Sequence, residues 1–178
     1  MVELPLIADV SLSTSRLRVV PVRIDLAQSM FEAIQSSRKF LERYLPDMRK
    51  LRTRKHVADL LARSQVEWEA GTAARFAVLD PQQTLVGSVS IESDNAIPPE
   101  HLAFWRPEAA KQRGYMTEAC TEVVRWSFET LGLIRLRANV AVKNASSIAL
   151  LKRLDFRPYD TVKVNGNDEY VFIKVAPI

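Results

Sequence analysis

The sequence predicts an α/β fold in which a mixed sheet is flanked by helices. Segments with the alternating, β-branched pattern of strands and segments with the 3.6-residue period of helices follow one another in the order β-αα-βββ-α-β-α-ββ. Three strand-like segments in succession exclude a strictly alternating, doubly wound parallel sheet. The 178 residues are enough for one hydrophobic core. We therefore expect a single domain over residues 1–178.

The amino-terminal part supplies one strand and two helical segments. Arg16–Arg23 is rich in β-branched residues and includes a proline, so it is interpreted as a strand at an edge or with an early end. The first helical segment follows Asp25, a candidate N-cap, and closes at Pro46. The second runs from about Val57 to Glu69 and has a less regular apolar stripe.

The remaining segments complete the predicted sheet and its second helical layer. In chain order they are two strands joined by a Pro-Gln-Gln turn (74–80 and 85–93), a strand at 101–107, a helix at 115–131, a strand at 134–142, a helix capped by Asn144, and a hairpin that turns at Asn165 and Gly166. The strand at 134–142 has the cleanest alternation, which predicts one face in the core and one polar face.

Composition excludes several function classes. No run of eighteen apolar residues and no secretory signal pattern is present, so we expect a cytoplasmic protein without a membrane partner. One cysteine, Cys120, and two distant histidines, His56 and His101, give no ligand cluster, and no metal is expected. The net charge of +4 includes a basic run at Arg49–His56. A solvated turn explains that run better than a nucleic-acid contact, because no aromatic residue interrupts it.

The segment Lys111–Ala119 places a cation and a glycine directly before a helix. A helix N-terminus presents unsatisfied N–H groups and the positive end of the helix dipole, and both favour an anion. A single glycine is a weak signal, and a polar loop that binds only water has the same pattern. The residues alone leave both interpretations open.

Five stretches in the same order resemble one family, the GNAT superfamily of acyl-CoA-dependent N-acetyltransferases, and most closely its Rim-type (RimJ/RimL) ribosomal-protein members. These stretches are STSRLRVVPV, LERYLPD, PEAAKQRGYMTEA, LGLIRLRANVAVKNASSIALLKRLDF and NGNDEYVFIKV. The resemblance implies a mixed, mostly antiparallel sheet whose central strands splay apart. It also implies acetyl-CoA as cosubstrate, held between the splayed strands. A homodimer is compatible with this resemblance.

The resemblance assigns the cofactor site to three places in the chain. The pantetheine arm is expected at the backbone of one splayed strand, the pyrophosphate at the loop before the long helix, and the thioester near the N-terminus of the next helix. The residues concerned are Phe104, Trp105, Lys111, Gln112, Arg113, Gly114, Tyr115, Met116, Thr117, Asn144 and Ser147. Gly114 matches the family's loop pattern, whereas Lys111 and Met116 depart from it, and the long Met116 side chain must turn into the core to leave room for pyrophosphate.

Acetyl transfer requires a neutral amine and a proton for the departing thiolate. An α-amine with a pKa near 8 costs about one unit to deprotonate at neutral pH and a lysine costs over three, a difference of roughly 3 kcal/mol. The resemblance makes Ser147 the candidate proton donor, although helix capping explains a serine there equally well. Glu169 is the chosen base; the other candidates are Glu92, Glu100, His101 and Asp168.

The sequence thus predicts an N-acetyltransferase whose acceptor is a protein N-terminus. The alternatives are a small amine, such as a polyamine, an amino acid or an aminoglycoside-like compound, and a non-catalytic GNAT-fold binding protein. Nucleic acid is not expected as a partner. We expect two irregular regions, Ser93–Glu100 and Arg38–His56, to shape the acceptor site.

Overall fold

An eight-stranded sheet forms the centre of the computed structural model, which describes residues 4–93 and 100–177. The strands are β1 Leu12–Ser13, β2 Arg18–Pro21, β3 Ala73–Leu79, β4 Leu85–Glu92, β5 His101–Trp105, β6 Arg135–Ala141, β7 Arg157–Val164 and β8 Asn167–Val175. They are ordered β1-β2-β3-β4-β5-β6-β8-β7, and every pair is antiparallel except β5 with β6. The predicted α/β class and the mostly antiparallel, mixed sheet are confirmed.

Five α-helices flank the sheet. They are α1 Ala27–Ser36, α2 Arg38–Glu42, α3 Arg54–Glu69, α4 Tyr115–Glu129 and α5 Ala145–Arg153. The first predicted helical segment is divided at Ser37, and α3 begins earlier than predicted because the Thr53 side chain accepts the N–H of His56 and caps it. The prediction that Asp25 caps the first helix is wrong. Asp25 lies in a 3₁₀ turn before α1 and pairs with Arg23.

The two faces of the sheet bury separate clusters of apolar side chains. Alternate residues of β3 divide between them: Phe76 belongs to the cluster beneath α4 and α5, and Ala77 to the cluster beneath α1 and α3. Phe76 is fully buried and meets Trp68 and Trp126 edge-on, with ring centroids 5.5 and 5.3 Å away. Within the described residues, no helix is both long and apolar enough to cross a membrane.

The sheet opens between its two parallel strands. β4 and β5 share five register pairs and β6 and β8 share seven, whereas β5 and β6 share one, His101 opposite Arg137. The Arg137 N–H donates to the Glu100 carbonyl at 2.8 Å, and the strands diverge beyond that point. The predicted splay is therefore present, and it leaves one edge of β5 without a neighbouring strand beyond His101.

A histidine side chain caps the point where the strands part. A regular parallel ladder would send the next β6 donor, the Asn139 N–H, to a carbonyl of β5. Here the Asn139 N–H donates to Nε2 of His101 at 3.3 Å instead. The imidazole nitrogen thus takes the place of a strand carbonyl at the point where pairing ends. His101 is thus engaged in holding the opening of the sheet.

Replacing His101 should loosen this opening in a way that depends on the acceptor. His101→Phe leaves the half-buried Asn139 N–H without its acceptor, which we expect to cost about 1–3 kcal/mol of stability. His101→Gln is the matched control because its side-chain carbonyl can still accept. Hydrogen exchange at the Asn139 amide should be faster in the phenylalanine variant than in the glutamine variant. Equal protection in both would rule out the imidazole as the acceptor that matters.

Candidate functional site

The loop before α4 has the backbone geometry of an anion site. It follows β5 and a 3₁₀ turn at Glu108–Ala110, and two of its residues have positive φ: Gln112 at 64° and Gly114 at 74°. Gly114 is the N-cap of α4 and has no side chain with which to cap it. The first N–H groups of a fifteen-residue helix are therefore left for an external acceptor. The four residues from Lys111 to Gly114 are exposed.

Met116 leaves this loop open because its side chain lies in the core. The residue is 5% exposed, and its thioether sits against the α-carbon of Gly87 on β4. A Cβ atom built on Gly87 would lie 2.3 Å from the Met116 sulfur and 2.9 Å from the Trp105 carbonyl oxygen. Gly87 therefore supplies the space that a long side chain at position 116 requires. The departure of Met116 from the family's loop pattern places no bulk over the helix N-terminus.

The turn between β1 and β2 holds the first turn of α4 through Glu118. Arg16 donates from Nε and Nη2 to one carboxylate oxygen of Glu118, at 2.8 and 2.6 Å, and from its backbone N–H to the other at 3.1 Å. The Thr14 hydroxyl also donates to this carboxylate. Arg16 Nη1 reaches the Arg113 carbonyl at 3.1 Å, so one guanidinium joins the turn, the loop and the helix.

The hydrogen bonds from Thr14 and Arg16 to Glu118, here called the clamp, change the electrostatics of the loop. Partial burial alone would raise the pKa of Glu118, but the hydrogen bonds from Thr14 and Arg16 outweigh it and hold the pKa below its usual value. Glu118 is therefore ionised at neutral pH beside a helix end that is suited to an anion, and Arg16 offsets its charge. The sequence patterns did not indicate a role for Arg16, although Arg16 lies in the first stretch that resembles the family.

A depression in the surface connects this loop with the end of α5. It is lined by Gln112, Gly114, Thr117, Glu118 and Arg153. Arg153 is the last residue of α5 and is exposed, so its cation is available near the loop. Sequence reasoning missed this residue too, because only the fold brings the C-terminus of α5 to the N-terminus of α4. Three of the residues predicted to bind the cofactor, Gln112, Gly114 and Thr117, share the depression.

Phe104 and Trp105 are the last two residues of β5, beyond the point where its pairing with β6 ends. Phe104 packs towards the cluster beneath α4, and Trp105 towards the cluster beneath α1 to α3. On the other side, β5 is paired with β4, where Phe104 is opposite Val89. Backbone groups on the open edge of β5 can therefore pair with an extended ligand without displacing a strand.

Ser147 and Glu169 both lie near the carboxyl end of β6. Glu169 on β8 is paired with Ala141, the last residue of β6, and α5 begins just after its N-cap Asn144. Asn144 caps α5 by accepting the Ser147 N–H at 3.3 Å. The capping role thus belongs to the Asn144 side chain. Within the described part of the chain, the Ser147 hydroxyl makes no hydrogen bond.

The described contacts distinguish Glu169 from the other candidate bases. Each of the others is held by a neighbour: Glu92 by Arg75 and Ser90, Glu100 by Arg135, Asp168 by Lys163, and His101 by the Asn139 N–H. Glu169 is half-buried and makes no ion pair or side-chain hydrogen bond with the residues that the structure describes. Its role as a base stays a prediction. Residues 94–99 of the predicted acceptor loop Ser93–Glu100 lie outside the part of the chain that the structure describes.

Metal and thiol chemistry receive no support from the described residues. Residues 4–93 and 100–177 contain no cluster of three or more histidine, cysteine or acidic side chains arranged to hold a metal ion. Cys120 is fully buried on α4, and burial raises the pKa of its thiol. A buried thiol of this kind behaves as a small apolar side chain.

Comparison with known proteins identifies a family and a shared fold. The family model described as an acetyltransferase (GNAT) domain matches residues 16–157. No curated protein sequence gives a significant match. The likeness to solved structures is extensive, and three of them illustrate it.

A RimL ribosomal α-N-protein acetyltransferase in complex with coenzyme A has a TM-score of 0.85 at 13% identity, covering 93% of this chain and 98% of that chain. Ribosomal-protein-S5-alanine acetyltransferase from Vibrio fischeri has a TM-score of 0.84 at 21% identity, with 94% and 97% covered. RimJ from Mycobacterium smegmatis, in complex with CoA-disulfide, has a TM-score of 0.81 at 19% identity, with 90% and 82% covered. At these identities the likeness establishes the fold.

The clamp predicts a measurable coupling between Arg16 and Glu118. We expect the effects of Arg16→Ala and Glu118→Gln on the free energy of unfolding in urea to be non-additive by about 1 kcal/mol. The guanidinium donates twice to one carboxylate oxygen, but Arg16 is half-exposed. The lowered pKa of Glu118 in the folded state means that this stabilisation is present above the unfolded-state pKa. It is lost as the pH falls through the folded-state pKa.

Arg18→Ala is the control for that measurement, because Arg18 lies on the same hairpin but bonds to Gln83. Its effect should be additive with Glu118→Gln at every pH. Amides from Arg113 to Thr117 should exchange faster in Arg16→Ala than in Arg18→Ala. A coupling that does not change with acidification would show that the ion pair does not hold the loop.

Proposed function

Because the chain belongs to the GNAT acetyltransferase family, we propose that it uses acetyl-CoA to acetylate a primary amine, and that this amine is the N-terminus of a protein. The observation that carries the proposal is the position of two features on consecutive segments. β5, which has an open edge, is followed by one 3₁₀ turn and then by a helix whose N-cap residue is a glycine. An extended arm ending in a pyrophosphate is complementary to both features together.

The residues present fit this cosubstrate. The backbone N–H groups from Gln112 to Thr117 would receive the pyrophosphate, with Lys111 and Arg153 as nearby cations. The β5 backbone at Phe104 and Trp105 would pair with the pantetheine arm. Met116 does not obstruct the loop, since its side chain packs against Gly87. That packing removes the steric reason to prefer a non-catalytic binding protein.

The thioester supplies an activated acetyl group, and the side chains of this chain would manage two protons. Glu169 would accept a proton from the attacking amine. Its carboxylate is available for this because it makes no ion pair or side-chain hydrogen bond among the described residues. Ser147 would donate the proton that the departing sulfur requires, since its hydroxyl makes no other hydrogen bond among the described residues. What supports this pair is that Glu169 is opposite the last residue of β6 and Ser147 lies in the first turn of the helix that follows β6.

Two considerations favour a protein N-terminus as the acceptor: the acceptors named for structurally similar proteins, and the lower pKa of an α-amine. The solved structures with TM-scores above 0.8 include ribosomal-protein N-acetyltransferases. An α-amine with a pKa near 8 is also about 3 kcal/mol easier to deprotonate at neutral pH than a lysine. A single half-exposed carboxylate such as Glu169 is adequate for an α-amine. A small primary amine is the alternative acceptor, and an acceptor screen separates the two.

Substitution of Gly114 by aspartate should abolish acetyl-CoA binding, and it should do so through the added charge. Asparagine and aspartate both tolerate the left-handed backbone that Gly114 adopts, and they have nearly the same size. We expect calorimetric titration to show saturable binding for the wild type and Gly114→Asn, and none for Gly114→Asp. A hundredfold excess of acetyl-CoA over its Kd should stabilise the wild type by about 2.7 kcal/mol. Absence of binding by the wild type at millimolar acetyl-CoA would refute the proposed function.

Ser147→Ala and Glu169→Gln should lower turnover while sparing acetyl-CoA binding. General acid and base groups contribute about 10²–10⁴-fold, and we expect the lower end because an α-amine is partly neutral at pH 7. The defect of Glu169→Gln should shrink as the pH rises above about 8, where the amine loses its proton unaided. The Ser147→Ala defect should not shrink in this way. Unchanged kcat in either variant would remove that residue from the mechanism.

A further inference from the structure

The segment Arg38–His56 carries the positive charge of the protein. It contains eight lysine or arginine residues and two acids, a net charge of +6, whereas the other 159 residues contain 17 basic and 19 acidic residues, a net charge of −2. It comprises α2, a 3₁₀ turn at Pro46–Lys50 and the beginning of α3. Its exposed cations, here called the basic surface, are Lys39, Arg43, Arg49, Lys50, Arg52, Arg54 and Lys55.

The cations of this segment differ in what they already contact. Arg38 is structural, because it donates to the carbonyls of Met48 and Leu51 at 3.2 and 2.7 Å and pairs with Glu42. Three members of the basic surface have acidic neighbours within 4 Å; they are Arg49, Lys50 and Lys55. The other four form no ion pair within the described residues; they are Lys39, Arg43, Arg52 and Arg54. More than half of the basic surface is therefore available to an external anion.

The basic surface borders the opening of the sheet. The Ser37 hydroxyl, just before α2, accepts the Glu108 N–H at 2.7 Å, and the Arg106 guanidinium lies over the Phe40 ring, 5.1 Å from its centroid. Trp105, the last residue of β5, packs into the same cluster as Phe40. These contacts place α2 against the end of β5, on the sheet face opposite α4 and α5. In the proposed function the cosubstrate would contact α4 and α5, which leaves this opposite face for the approach of an amine.

We propose that the basic surface binds acidic residues that follow the acceptor amine along a polypeptide; the proposal rests on the proposed function and extends it to the class of acceptor. A polypeptide that enters the opening with its N-terminus must run out over the surrounding surface, and here that surface has a net charge of +6. Charge complementarity of this kind selects partners and accelerates encounter more than it adds affinity.

RNA fits this surface less well than an acidic polypeptide does. Single strands are bound by cations together with exposed aromatic rings on which bases stack. The aromatic residues of the segment are Phe40 and Tyr44; both are half-buried, and Arg106 already lies over Phe40. The position of the basic surface beside the acceptor face also gives it a use in substrate selection that binding of RNA would not explain.

The experiment compares two variants that lose the same charge. The basic-surface variant combines Lys39→Gln, Arg43→Gln, Arg52→Gln and Arg54→Gln. The control variant combines four exposed cations elsewhere: Arg18→Gln, Arg63→Gln, Arg125→Gln and Arg157→Gln. Arg54 is the first residue of α3, where a cation opposes the helix dipole, so its neutralisation should not cost helix stability. Circular dichroism melts verify that both variants fold.

Binding is measured by fluorescence anisotropy with three peptides that share a free N-terminal Ser-Ala-Ala and continue with glutamate, glutamine or lysine. We expect the wild type and the control variant to bind the glutamate peptide about tenfold more tightly than the lysine peptide, as several individually weak exposed ion pairs would produce. The preference should nearly disappear in the basic-surface variant and at 0.5 M salt. A wild type without preference would overturn the proposal, as would an equal loss in both variants.

Three further outcomes distinguish the proposal from its alternatives. Tighter binding of a twenty-nucleotide single-stranded RNA than of the glutamate peptide, lost in the basic-surface variant, would overturn the proposal in favour of nucleic acid. Release of coenzyme A thiol in the presence of acetyl-CoA then reports activity separately. A glutamate peptide that binds but is not acetylated contradicts the proposed function and leaves the surface intact. Equal acetylation and equal binding of all three peptides contradicts the surface and leaves the proposed function intact.

Discussion

The structure depends on the loss of hydrogen bonding between β5 and β6. The other six strand pairs of the sheet are antiparallel, but between β5 and β6 the pairing stops after His101 and Arg137. An open strand edge inside a sheet is unfavourable unless its polar groups find partners. The imidazole of His101 supplies one partner by accepting the Asn139 N–H. That N–H belongs to β6, and the backbone groups on the β5 edge beyond His101 remain suited to an extended ligand.

The loop proposed to bind the pyrophosphate follows β5, the strand that borders this gap. β5 leads through Pro107 and a 3₁₀ turn into this loop, so an extended ligand paired with the β5 edge would be close in sequence to the N-terminus of α4. Glu118 would weaken an anion site there, since it is ionised in the first turn of the helix. Arg16 offsets that charge and at the same time bonds to the loop backbone at Arg113. One arginine from a distant strand turn thus serves both geometry and electrostatics.

Local patterns predicted most of the elements, because alternation and helical periodicity are properties of neighbouring residues. The order of strands and helices, the hairpin at Asn165 and Gly166, and the glycine at the start of α4 all follow from such patterns. The pairing of Arg16 with Glu118 could not be predicted in this way, because 102 positions separate the two residues. The same holds for Met116 and Gly87, whose fit depends on how α4 crosses β4. The Asp25 cap failed for a local reason, since Arg23 engages its carboxylate.

The proposed ligands are both attracted by positive potential, but the chain produces that potential in two physically different ways. At the loop it comes mainly from backbone N–H groups and a helix dipole, which act over a few ångströms and require close contact. At the basic surface it comes from exposed side chains, whose field extends about 8 Å at physiological salt and tolerates many arrangements of the partner. The first mechanism suits a cosubstrate that is identical in every turnover. The second suits acceptor polypeptides that share a charge and differ in sequence. If both proposals hold, the cofactor site would be specific in shape and the acceptor site would be specific in charge.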